Sequence, residues 1–145
     1  MQIRTLLGSA ALAVLLFQVA QARDERMKFS IKEALLAPDA QDKLGTDVKF
    51  FFGPESYPKP TATLGTYTSN KKTNFANKTD QAGCQIAFLS AMIALKDRAL
   101  AEGGNAVVNV HSIYKNAKFE SDTEFECGAG KIMGGVALRG TVVKL

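Results

Sequence analysis

Between Asp80 and Gly104 the chain reads DQAGCQIAFLSAMIALKDRALAEGG, and from Ile86 to Leu95 only Ser90 interrupts an apolar run. A helix over this stretch has no polar face through its middle, so it must be covered on all sides rather than lie half in water. Thr79 or Asp80 supplies its N-cap and Gly103-Gly104 its stop. The run is shorter than the ~20 apolar residues a spanning helix needs, so the cover is protein rather than lipid. Lys96, Asp97, Arg98 and Glu102 return the last turns to water, while Phe88 and Met92 read as core residues.

The cover has to come from strands. DVKFFFG (47–53) places Val48, Phe50 and Phe52 on one face, and TATLGTYTS (61–69) is β-branched and aromatic, with Gly65 either weakening the strand or marking a bulge. PESYPKP between them is a connection, because its prolines bar it from a central strand. In NAVVNVHSIYK (105–115), Val108, Val110, Ser112 and Tyr114 share a parity. In KFESDTEFEC (118–127), Phe119, Ser121, Thr123, Phe125 and Cys127 alternate with Glu120, Asp122, Glu124 and Glu126. These two segments are expected to form an antiparallel hairpin with Tyr114 opposite Phe119, Val110 opposite Thr123 and Val108 opposite Phe125. A one-residue slip would bury the carboxylates. VALRGTVVKL is a last strand with Val136, Leu138 and Val142 inward.

Ahead of the strands, FSIKEALLAPDAQDKLG carries a capping box, Ser30 with Glu33, and an apolar stripe of Ile31, Leu35 and Leu36. Pro38 interrupts this helix, and a second turn or two runs from Asp39 to Leu44 before Gly45. The fold class is therefore α+β: an antiparallel sheet of about five strands covered by one long buried helix, with a short N-terminal helical segment.

The first residues, MQIRTLLGSAALAVLLFQVAQA, have the three parts of a secretory signal: Arg4, an apolar core from Leu6 to Val19, and the small-x-small Ala20-Gln21-Ala22. Cleavage between Ala22 and Arg23 would leave one domain, residues 23–145, in the periplasm. The net charge of +4 is mild and falls further with Arg4 removed, too little to argue for nucleic acid by itself. Two cysteines remain, Cys84 and Cys127. In an oxidising compartment an even pair reads first as a disulfide. A pair of free thiols, acting as metal ligands or a redox couple, is the alternative. Cys127 lies on the inward face of its strand and Cys84 in the first turns of the covering helix, which favours a staple between helix and sheet.

CGAGKIMGG (127–135) suggests a phosphate-binding loop, but the pattern G-x-x-x-x-G-K-[ST] is not met. With Lys131 as the lysine, the first glycine would fall at Phe125 and the hydroxyl at Ile132, and a strand rather than a helix follows. The glycines fit a tight or bulged turn between two strands instead.

Several stretches, DAQDKLGTDVKFFFG, SNKKTNFANKTDQAGCQIAFLSAMIAL, GGNAVVNVHSIYKN and TEFECGAGKIMGGVALRG, resemble a group of small exported bacterial proteins. That group carries the label of the excinuclease ABC ATPase. The resemblance implies export and a small domain. The activity in the label finds no counterpart in these residues, which hold no Walker motif and no zinc-cysteine cluster. More loosely, the long helix followed by GGNAVVNV is similar to the core of the Rcs outer-membrane stress sensor and of YbjQ-like domains, which implies an α+β fold and a sensing or binding role.

Chemistry has few candidates. His111 is the single histidine, and by parity it faces away from Cys127, so a Cys-His nucleophile pair is not expected. No serine sits in a nucleophile elbow, and the chain reads as non-catalytic and without a cofactor. On the hairpin register above, His111 lies opposite Asp122 and Asn109 opposite Glu124, with Glu120 and Glu126 at either end, a row that could hold a divalent cation. Lys71, Lys72 and Lys78, in a polar loop around Phe75, form a second candidate site, for a polyanion or nucleic acid. The partner classes that fit the whole are an envelope protein or a small ligand.

Overall fold

The computed structural model describes residues 24–145, so the expected leader, its cleavage point after Ala22 and Arg23 lie outside the described residues. Six strands form one sheet: β1 (Asp24–Ser30), β2 (Lys49–Phe52), β3 (Ala62–Asn74), β4 (Ala106–Ser112), β5 (Glu124–Gly130) and β6 (Met133–Lys144). Two short helices, α1 (Ile31–Leu35) and α2 (Ala40–Leu44), precede β2, and the long helix α3 (Asp80–Ala101) lies between β3 and β4.

β6 organises the sheet. β3 runs antiparallel along one edge of it, from Ala62 opposite Lys144 to Asn74 opposite Met133. The other edge is divided: β5 pairs near its start, Gly128 with Gly135, and β4 pairs from Ser112–Leu138 to Ala106–Val143. β1 then extends the sheet beside β5, and β2 runs parallel to β4. Of the two readings of Gly65, the bulge is the one present, between Thr63 and Gly65.

α3 covers the sheet as its apolar run requires. Thr79 Oγ1 accepts from Ala82 N at 3.1 Å, and the helix ends at Glu102 and Gly103. Phe88, Met92 and Leu95 are fully buried against Val107, Val110, Val136, Leu138 and Val142. The Phe88 ring stacks on Phe125 with centroids 4.2 Å apart. On its other side α3 meets the helical segment, where Ala34, Ala40 and Leu44 join the same core. Ile86 alone of the central run is exposed among the large apolar side chains.

Cys84 and Cys127 form a disulfide, their Cα atoms 5.8 Å apart, which fastens the first turns of α3 to β5. Of the two readings of these cysteines, the structure takes the staple.

Three local expectations give way. The hairpin of residues 105–127 does not form, because β6 rather than β5 occupies the edge of β4. Only one isolated bridge remains of it, Ser112 with Phe119, two residues out of the expected register. Asn109 adopts a left-handed φ of 49° in a bulge, so Val108 and Val110 face opposite sides: Val110 joins the main core, and Val108 packs with Ala106 and Val143 in a second cluster. β1 is a strand that its sequence does not advertise, since five of its seven residues are charged or polar; Met27 and Phe29 face the core while Arg26 and Lys28 cover Tyr114 and Phe119. The sheet is mixed rather than purely antiparallel, because β2 runs parallel to β4.

The glycine-rich segment forms the end of β5, a two-residue turn at Lys131-Ile132 and the start of β6. Two of its glycines make room for rings: a Cβ on Gly128 would lie 2.0 Å from Tyr114, and one on Gly134 2.2 Å from Phe75.

The disulfide spans 43 residues of sequence. Replacing both cysteines by serine should therefore lower unfolding free energy by about 4 kcal/mol through the freed chain entropy, read as a fall in the urea midpoint.

Candidate functional site

Where β2 ends, three segments that are distant in sequence meet. Gly53 has a φ of 53° and lies so close to the bend before β5 that a Cβ there would be 2.8 Å from the Ser121 backbone. No side chain fits, which is why glycine stands there. Asn109, in the left-handed region that asparagine tolerates, uses its amide twice. Nδ2 donates to Gly53 O at 3.0 Å and to Glu120 Oε1 at 2.9 Å. The β4 bulge thus clamps the end of β2 to the 120–123 bend. Ile31 N donates to Thr123 O at 2.9 Å, joining the start of α1 to the same bend.

These ties frame an open cleft of about 770 Å³ between the helical segment, β2 and the bend. Its floor and walls are apolar: Ile31, Leu35, Leu36, Leu44, Phe50 and Phe52. Leu36 is 61% exposed, which leaves a large apolar side chain facing the cleft instead of the core. Exposed charged side chains form its rim: Lys32 from α1, Glu55 from the turn after β2 and Asp122 from the bend before β5. Glu55 is fixed, since its Oε2 accepts from Phe52 N at 2.9 Å and closes the turn after β2. The α1 cap is half of the expected box: Ser30 Oγ accepts from Glu33 N at 3.2 Å, while the Glu33 side chain accepts from Gln81 Nε2 at 3.1 Å instead of returning to Ser30. A volume in the range of about 300–1,000 Å³, apolar walls and a few fixed polar groups are what small-molecule sites have in common.

The cation row predicted around His111 is dispersed. His111 is 8% exposed and sits opposite Arg139, and its Nδ1 lies 2.7 Å from Asn109 O. A carbonyl oxygen only accepts, so this nitrogen carries the proton. Glu120 accepts from Asn109 and pairs with Lys118 at 2.9 Å. Asp122 is on the cleft rim, Glu124 opens β5 opposite Ser30, and Glu126 is buried, 3.9 Å from Arg26 Nε. Among the described residues no three His, Cys, Asp or Glu side chains come together to share an ion. The physical cause is the irregular stretch from Glu120 through the bend at Asp122–Thr123, which breaks the alternation that would have aligned the carboxylates.

The three lysines also separate. Lys71 and Lys72 lie within β3, which is longer than its apolar pattern indicates, and consecutive strand residues point to opposite faces. Lys71 is on the side of α3, beside Arg98, and Lys72 is on the other, near Tyr114 and Lys115. Lys78 belongs to the turn before α3.

The cleft itself has little signature in the sequence. Leu36 is its one visible signal, an apolar residue that reads as part of a buried stripe although the helix ends at Leu35.

No family model matches the chain, and no curated protein and no solved structure is matched by it.

The Glu120 carboxyl is held below the ordinary carboxylate range, first by the Asn109 amide and then by Lys118. A depressed folded-state value means that this contact contributes stability above the ordinary carboxyl titration and loses it as pH falls through the lowered midpoint. Asn109→Gly keeps the left-handed backbone and removes the amide, so the Glu120 midpoint followed by carboxyl-carbon NMR should move upward.

Proposed function

We propose that this chain is an exported, non-catalytic binding domain of the cell envelope, which holds a small apolar or amphiphilic molecule in the cleft between α1, α2 and β2. The observation that carries this reading is the exposed Leu36 facing a cleft of about 770 Å³ whose lining also holds Phe50 and Phe52. Apolar surface of this kind gains by being covered, at about 25 cal/mol per Å². Lys32, Glu55 and Asp122 on the rim would orient a polar end of the ligand.

Export through a leader ending at Ala22 and residence in the periplasm belong to the same proposal. The disulfide supports an oxidising compartment, and among the described residues no helix is long and apolar enough to cross a membrane. The assignment of a binding role rather than catalysis is supported by the reactive groups. Both thiols are consumed in the disulfide, and His111 is buried with Nδ1 engaged.

The test is a fluorescence titration with anilinonaphthalene sulfonate under native conditions. Saturable, one-to-one binding is expected. Leu36→Asp should weaken it about tenfold or more, since covering a leucine side chain is worth about 1.5–3 kcal/mol. Thermal stability should stay unchanged, because that side chain contributes little to the core. Equal binding by the variant would place the dye elsewhere and remove the cleft as the site.

A further inference from the structure

The longest strand of the sheet has an unused side. β3 pairs with β6 along its inner edge and with no other strand among the described residues. Its outer edge therefore presents backbone N–H and C=O groups without strand partners, and sheet proteins ordinarily blunt such an edge. Here the bulge at Thr63–Gly65 interrupts one end, and Lys71 and Lys72 stand near the other. Between them the stretch from Thr66 to Asn70 is regular.

Beside this stretch a groove of about 320 Å³ separates β3 from α3, lined by Tyr67, Ser69 and Lys71 on one side and Ala94, Leu95 and Arg98 on the other. Ser69 is 7% exposed, and its Oγ has no hydrogen-bond partner among the described residues. A buried hydroxyl left this way is costly, and a partner that reached it would recover the loss. Arg98 lies over the Tyr67 ring, 4.1 Å from its centroid, and shares its charge with Glu102 at 3.1 Å. Lys71 has no ion pair among the described residues. Among the described residues no carboxylate lines the groove.

From these features we infer that the free edge of β3, together with the groove against α3, binds an extended acidic peptide as an added strand. Backbone pairing along Thr66–Asn70 would supply the affinity, as in strand addition generally. Alternate peptide side chains would enter the groove, where Lys71 takes a carboxylate and Ser69 Oγ a polar group. The charge decides the occupant. β3 contains no Asp or Glu, so a second copy laid on the same edge would bring more cations and no counter-charge.

The experiment is an amide NMR titration of the oxidised protein with a short acetylated and amidated peptide alternating glutamate with valine, run beside its lysine–valine counterpart. The acidic peptide should shift Tyr67–Lys71 and Ala94–Arg98 saturably and protect edge amides from exchange. Lys71→Glu should weaken it by about tenfold, the loss of roughly one charge-assisted contact. Ser69→Ala separates this role from a structural one. Without the peptide it should unfold no more easily than the parent, because the hydroxyl has no partner, yet it should bind the peptide several-fold more weakly. The proposal is overturned by absence of binding, by equal binding of the lysine peptide, or by affinities that ignore both substitutions. Sedimentation as a dimer that Lys71→Glu changes would likewise overturn it, by naming a second copy as the occupant. None of these outcomes bears on the cleft beside α1, whose residues the variants do not touch.

Discussion

A strand has two edges, and β6 serves three partners with them. β3 takes one edge entire, and β5 and β4 divide the other. Two strands that share an edge end to end must part company beyond it, and the space between them has to be filled. Ser112 helps to fill it: its Oγ accepts from Glu126 N at 2.8 Å, where β5 has left β6 and cannot reach it. The rest of the architecture depends on this division. β1 extends the β5 branch and β2 the β4 branch, while α3 lies across the face and is bonded to the β5 branch through Cys84–Cys127. The disulfide and the stacked Phe88 and Phe125 together fix the helix on a branch that pairs with β6 only at Gly128–Gly135 and Ala129–Gly134.

What can be read in the sequence is what one segment dictates alone. The helix of residues 80–101 announces itself because ten consecutive positions hold a single polar residue, and no other environment would accept it. The inward faces of β2 and β6 follow from alternation that their own side chains carry, and the pairing of two cysteines needs only their faces to be known. Pairing between segments is a different matter. Residues 105–127 alternate in a way that suits a hairpin, and nothing within them reveals that β6 takes the edge first. Asn109 is a single residue, yet its left-handed backbone reverses the facing of everything before it relative to everything after. Parity counted through such a position fails at that position and not before.

The same bulge explains why the cleft is illegible. A site on one helix or strand leaves a pattern in sequence, whereas this one is bounded by residues near 31, 45, 52 and 122 that only tertiary contacts assemble. By alternation Asn109 belongs with His111 in a cation row, and the structure gives it another task, that of holding Gly53 and Glu120. The carboxylates of residues 120–126 likewise serve separate places, among them a clamp, a rim and, at Glu126, a buried site beside the exposed Arg26. Dispersal of this kind is usual where alternation ends in a bend, because each residue then answers to a different neighbour.

The glycines of CGAGKIMGG have a consequence for how this chain can drift in evolution. Tyr114 and Phe75 rest where Gly128 and Gly134 have no side chain, so each pair shares one volume. Neither member is free to change alone: a methyl group gained by the glycine must be matched by area given up by the ring. Relatives of this chain should therefore trade size across these two pairs in step. Two of the four glycines that imitate a nucleotide loop are the imprint of two aromatic rings.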